Sequence, residues 1–315
     1  MITFTTGLIS FNRATFSADD IKFIKFCTCI KQFLNIFNNK PKKEVELEVW
    51  VDQAVLTSLK ENYLCKEFFN KPQIVFRNIE KFFEENCLNY EDYWYDSLRF
   101  ILLGFLCDNK YRVWIDSDTI LLSNFDLEEI LKKPAGIILP IPSNFPYDFN
   151  SQKELDTLRQ YLEKEGIFFN LEEFKDSHVN TGDILGGDPV LCRILCRKVL
   201  QLVKFIKGTR TEGVDLPHPE CWSILEYVSC NYINQLCIQL HLPVTYVGTV
   251  HHWTGANWLP PCLYGQNQNL MHLDREKLVK ALCMSILKEN LDIENCEDVF
   301  NIVNSLERKD KLKLV

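Results

Sequence analysis

The 315-residue sequence has no excess of positive charge, no long hydrophobic run and no cysteine pair spaced for redox or zinc chemistry. Its 35 Lys and Arg against 43 Asp and Glu leave a formal charge of −8. That balance argues against broad electrostatic binding of nucleic acid or anionic lipid. The longest apolar run near the middle, Phe100–Cys107, falls far short of the roughly 20 residues that span a bilayer as a helix. Met1-Ile2-Thr3-Phe4 starts as a strand does, without the basic and then apolar stretch of a secretory leader. Thirteen cysteines are scattered from Cys27 and Cys29 to Cys296 with no CxxC pair. Unpatterned thiols in such number fit a reducing compartment, so a soluble, cytoplasmic protein is expected. Cys192 and Cys196, four apart on an expected helix, are read as small packing groups rather than metal ligands. Internal repeats, low-complexity tracts and a clear linker are also missing.

What remains is ordinary globular composition, 46% hydrophobic and 25% charged, enough to bury a core without disulfides. The first half alternates strand and helix. Ile2–Thr6 is expected as a strand, then a helix capped by Asp19 or Asp20 and running through Phe37, a strand over Glu44–Val51 and a short helix over Leu56–Tyr63. Gln73–Arg77 reads as a third strand, Tyr93–Cys107 as a helix, and Tyr111–Ile115 as a strand that stops at Asp116. Ala135–Ile141 is a further strand, broken by Pro140 and Pro142, and Ser151–Glu165 a polar helix. Asp188-Pro189 opens a helix to about Lys207 with Gly208 beyond it, and Pro219 starts another to about Leu240. Two more helices follow Asp274. This order predicts an α/β fold: a mixed, mainly parallel sheet flanked by helices, with a helical C-terminal extension. Residues 1–262 are expected as one domain, with 263–315 packed on it as the extension. Ligands of such sheets bind where strands end at their carboxyl side, after Phe4, Val51 and Ile115.

The most informative segment is Tyr111-Arg-Val-Trp-Ile-Asp-Ser-Asp-Thr-Ile-Leu-Leu-Ser-Asn-Phe-Asp126. Asp116 and Asp118 follow an apolar strand at once and precede another apolar run. Two neighbouring carboxylates repel unless a cation or proton lies between them. A hard divalent ion, Mn²⁺ or Mg²⁺, resolves that repulsion and commonly carries a substrate diphosphate with it. The plainer reading, a polar turn after a strand, needs only the turn-forming habit of Asp and Ser.

This segment resembles the D-x-D region of glycosyltransferase family 8, the group of glycogenin and lipopolysaccharide galactosyltransferases, whose fold is called GT-A. Further elements are similar in the same order: Arg99 on the helix before the acidic strand, Asn180-Thr-Gly-Asp-Ile-Leu, and His252-Trp-Thr-Gly255. The resemblance reaches from the first strand to about Pro260. It implies a nucleotide-sugar donor, a UDP-sugar first, and a metal ion, Mn²⁺ or Mg²⁺, held by Asp116, Asp118 and His252. It also implies donor contacts from Arg99, Ser117 and Gly255, a sugar pocket at Asn180, and nucleotide contacts from the loop region of Thr5 and Thr6. The acceptor is then a glycan, a protein or a small molecule.

Two departures stand out. The family lysine after Gly255 is replaced here by Ala256-Asn257-Trp258, so one diphosphate cation is missing and Trp258 is left to stack or pack. The family's Asp-Gln pair falls at Pro217-His-Pro-Glu-Cys, with Glu220 as the acidic candidate, Asp215 as runner-up, and first-turn helix electrostatics as the plain alternative for Glu220. His178, just before the Asn180 motif, is assigned to packing or the surface, with contact to acceptor or donor as the alternative. Retention of anomeric configuration is the family outcome. Two other functions compete: a sugar nucleotidyltransferase, disfavoured because Thr5-Thr6-Gly7-Leu8-Ile9-Ser10 is no glycine-rich phosphate loop, and a non-catalytic binding protein, which the missing lysine favours.

Overall fold

A computed structural model describes residues 1–10, 16, 20–89, 97–121, 136–141, 159–160, 163–164, 179, 184–211, 232–247, 250–252, 275–289, 291, 293–294, 297–298, 301–302 and 305, with backbone alone at 120, 205–211, 250–252 and 275–278. The strands are β1 (Ile2–Leu8), β2 (Val45–Val51), β3 (Ile74–Asn78), β4 (Tyr111–Trp114), β5 (Thr119–Leu121), β6 (Ile137–Pro140), β7 (Leu185–Gly187), β8 (Val244–Val247) and β9 (Val250–His252). The helices are α1 (Ile21–Phe37), α2 (Gln53–Glu61), α3 (Ile79–Glu85), α4 (Leu98–Phe105), α5 (Pro189–Thr211) and α6 (Arg275–Glu289), with a 3₁₀ helix over Tyr63–Asn70. Seven strands form a mixed sheet in the order β3-β2-β1-β4-β7-β6-β8, and β5 pairs with β9 in a separate ribbon. The β1–β2, β2–β3 and β6–β8 pairs are parallel, while β7 runs antiparallel to both β4 and β6. The expected mixed, mainly parallel sheet with flanking helices is therefore the observed one.

The chain forms two compact units: Met1–Phe82, Ile115–Leu131 and Thr249–Val315 make the first, and Phe83–Trp114 with Lys132–Gly248 the second. In the first unit β1 is buried along its whole length. Its Phe4 ring lies 5.6 Å from Phe33 and 5.3 Å from Phe37 of α1. Of the two expected cap candidates, Asp20 is the α1 cap, its side chain accepting from the Lys22 and Phe23 amides. However, α1 is buried nearly all round, polar positions Lys25, Lys31 and Gln32 included. The 3₁₀ helix covers one flank, where Lys31 pairs with Glu67, and the chain at Leu291 covers another, its carbonyl accepting from Gln32 Nε2 at 3.1 Å. Helix α6 also packs on α1.

In the second unit α4 packs on α5, whose Cys192 and Cys196 are buried, as the packing reading expects. Asp188 caps α5 through the Val190 and Leu191 amides at 2.9 and 3.0 Å.

Several boundaries differ from the sequence reading. β1 continues through Gly7 and Leu8 because its partner β2 extends alongside to Val51. α5 runs through Gly208 to Thr211, since a glycine costs a helix about 1 kcal/mol without ending it. Pro140 closes β6 rather than breaking it, a strand-end position where no ladder amide is needed. α4 stops at Phe105 with Leu106 as its cap. The short elements β5, β7, β8, β9 and α3 carry too few residues for a periodic signal. The Ser151–Glu165 and Pro219–Leu240 helices lie largely outside the described residues, although 232–239 are helical.

Candidate active site

The acidic pair sits on a tight turn. β4 ends at Trp114, Ile115 donates its amide to the Thr5 carbonyl at 2.9 Å, and Thr119 donates back to the Asp116 carbonyl at 3.1 Å. Asp116-Ser117-Asp118-Thr119 is thus a hydrogen-bonded β-turn. The plain turn reading is correct as local structure, and the carboxylates it presents are what chemistry has to use. Ser117 is buried while Asp116 and Asp118 are only partly so. The Ser117 amide donates to Asp116 Oδ1 at 2.9 Å, orienting that carboxylate.

Helix α1 is the back wall of this turn. Cys29 Sγ donates to the Asp116 carbonyl at 3.5 Å, and one helical turn earlier Lys25 Nζ lies 3.8 Å from Asp118 Oδ2. Burial pushes the Cys29 thiol well above the usual range, and the negative charge of Asp116 and then Asp118 pushes it further. That thiol stays protonated and serves as a donor, not as a nucleophile. The Lys25 contact gives the sequence no warning, because 93 residues separate the partners and a lysine in an amphipathic helix reads as solvated.

After the turn, β5 pairs antiparallel with β9, setting Thr119 opposite His252, Ile120 opposite His251 and Leu121 opposite Val250. The backbone of His252 therefore stands across from the residue that follows Asp118. Among the described residues no group of three or more His, Cys, Asp or Glu side chains is placed to hold a metal. The two carboxylates of the turn are a hard-oxygen donor set of the kind that suits Mn²⁺ or Mg²⁺, and the residues present fit such an ion in kind.

The other sequence candidates are distributed. Thr5 and Thr6 lie inside β1, fully buried, and the loop after the strand begins at Ile9. The Thr5 hydroxyl has no hydrogen-bond partner among the described residues. At the rim of β1 and β2, buried Asp52 accepts from Ser10 N at 2.6 Å and from Val55 N at 2.8 Å. It fastens the start of that loop to the N-terminus of α2. Sequence reasoning passed over Asp52, although an Asp immediately after a strand and before a helix is a capping signal. Arg99, in the second unit, is 2% exposed on α4 with its guanidinium 4.7 Å from the Phe100 ring centre. In the same unit β7 pairs antiparallel with β4, Leu185 opposite Trp114, so the chain enters β7 beside the last residue of the strand that leads to the acidic turn. Asn180, just upstream, lies outside the described residues, as do His178, Asp215, Glu220, Gly255 and Trp258. No described helix is long and apolar enough to cross a membrane.

No protein-family model matches the sequence, nor does any curated protein. Solved structures similar to the chain include the galactosyltransferase LgtC bound to donor and acceptor sugar analogues, at 11% identity and TM-score 0.42 over 90% of this chain and 95% of that one. Mouse xyloside xylosyltransferase 1 is similar at 12% identity and TM-score 0.43, over 78% of this chain and 84% of that one. The third is the PaToxG glycosyltransferase, at 12% identity and TM-score 0.36, over 76% and 69%. These three structures similar to the chain are all glycosyltransferases of low sequence identity to it.

Proposed function

We propose that this protein is a metal-dependent glycosyltransferase of the GT-A type, which moves a sugar from a nucleotide-sugar, a UDP-sugar first among them, to an acceptor. One observation carries the reading: a β-turn at the end of a central strand presents two partly exposed carboxylates, and the ribbon that leaves it pairs Thr119 with His252. Asp116 and Asp118 would hold Mn²⁺ or Mg²⁺, with His252 as a third ligand. When bound, such an ion neutralises charge on the leaving nucleoside diphosphate as a Lewis acid. The chain's own part is to fix the site beforehand. The Ser117 amide orients Asp116, Lys25 braces Asp118, and the Cys29 thiol pins the turn carbonyl. A site held in this way spends little on reorganisation as charge develops. Ser117, Gly255 and Arg99 are assigned to the donor, Thr5 and Thr6 to the nucleotide side, and Asn180 and Glu220 to the sugar, with retention of configuration.

The test is nucleotide release across a panel of UDP- and GDP-sugars, with and without Mn²⁺, for the wild type and Asp118→Ala. The proposal expects Mn²⁺-dependent release of UDP from one sugar and at least a hundredfold loss in the variant, a typical cost of removing a main electrostatic stabiliser. The replacement of the family lysine by Ala256-Asn257-Trp258 favours a second reading, a binding protein. It predicts nucleotide-sugar binding without any release.

A further inference from the structure

We propose that Lys25 is a positioning residue built into the acidic turn: it orients Asp118 and holds down the turn's affinity for a free divalent cation, so that metal enters together with a nucleotide diphosphate. The inference rests on the reading of Asp116-Ser117-Asp118 as the metal- and diphosphate-binding turn.

Lysine is among the residue types least often buried, because its ammonium group leaves water at heavy cost unless it is paired. Lys25 is 3% exposed. Its position on α1 is fixed from two sides. Cys29, one helical turn on, donates to the Asp116 carbonyl, so the same strip of α1 meets both acidic residues of the turn. On the other flank α6 packs against α1 and brings Cys283 into the field of Lys25 beside Thr28. The Lys25 ammonium lies 3.8 Å from Asp118 Oδ2.

Asp118, in contrast, keeps 23% of its side chain exposed. Its carboxylate stands between a dry, fixed ammonium and solvent. The consequence is electrostatic. Lys25 offsets part of the negative charge that Asp116 and Asp118 offer a divalent cation. A unit positive charge one carboxylate away from a divalent ion lowers its affinity by about tenfold even under the screening of water, and by more where water is excluded. A nucleoside diphosphate carries the missing negative charge with it. The metal would then bind more tightly together with a nucleoside diphosphate than as a free ion. The ammonium is too buried for salt to screen it strongly.

The experiment is titration with Mn²⁺, following the free-ion signal by electron paramagnetic resonance, with and without UDP, on the full-length protein. Wild type, Lys25→Gln, Lys25→Met, Lys25→Arg and Asp118→Ala are compared, each checked by far-UV circular dichroism. Without UDP, the two neutral variants are expected to bind Mn²⁺ at least tenfold more tightly than wild type, Lys25→Arg is expected to match wild type, and UDP is expected to narrow the gap. Lys25→Gln keeps a polar end and is read alone should Lys25→Met fail to fold. Binding of Mn²⁺ by wild type that is lost in Asp118→Ala but unchanged or weaker in Lys25→Gln overturns the role of Lys25 and leaves the proposed function standing. No Mn²⁺ binding by wild type or either neutral variant, even with UDP, overturns both.

Discussion

Removing the carboxylate of Asp52 tests whether the rim of the sheet is held as the structure indicates. The side chain is 5% exposed and accepts two amides, Ser10 N at 2.6 Å and Val55 N at 2.8 Å. In Asp52→Ala the first turn of α2 loses its cap, which costs about 1 kcal/mol. The Ser10 amide is left without an acceptor in a buried position, a further 1–3 kcal/mol or so. The expected destabilisation is therefore about 3 kcal/mol, read as a fall in the urea midpoint with an unchanged slope. Asp52→Ser restores the cap but is too short to hold Ser10 as well, so its loss should be smaller, about 2 kcal/mol by the same accounting. Urea unfolding of the three proteins at one pH is the assay. A loss below about 1 kcal/mol in Asp52→Ala would show that solvent satisfies Ser10 and that the carboxylate does not fasten the loop to α2.

Close backbone approach in β7 makes a second target. A Cβ on Gly186 would meet the Arg112 carbonyl and come 2.7 Å from Val113 Cα, while Gly187 has φ of +122° and faces the Gly136 carbonyl. Gly186→Ala and Gly187→Ala are each expected to cost at least about 3 kcal/mol, and a thermal midpoint within a degree or two of wild type would contradict that. Thiol chemistry gives a third prediction. Burial pushes the Cys29, Cys192 and Cys196 thiols well above the usual range and Cys283 to about 12, whereas Cys87 and Cys107 are exposed. Alkylation at pH 8 followed by peptide mass spectrometry should modify Cys87 and Cys107 before the buried four, which are spared until the protein unfolds. Early modification of Cys29 would show that α1 does not seal against the acidic turn.

The sequence by itself determined the layered α/β fold, because alternating strand and helix periods leave few other ways to bury two-sided strands. It determined that an aspartate at 19 or 20 caps α1, Asp20 being the one that does, and the acidic turn after β4, since both are local: a capping carboxylate and a turn act within three or four residues. It could not determine what those elements meet. That Lys25 faces Asp118, that β9 runs beside β5, and that α6 closes over α1 each depend on pairings between segments 93 or more residues apart. No period in the chain encodes such contacts. The same limit applies to the polar positions of α1. Only packing of the 3₁₀ helix and the C-terminal segments buries Lys25, Lys31 and Gln32. A lysine becomes part of a site when the dielectric around it falls and a carboxylate stands within reach, and both conditions are set by tertiary structure.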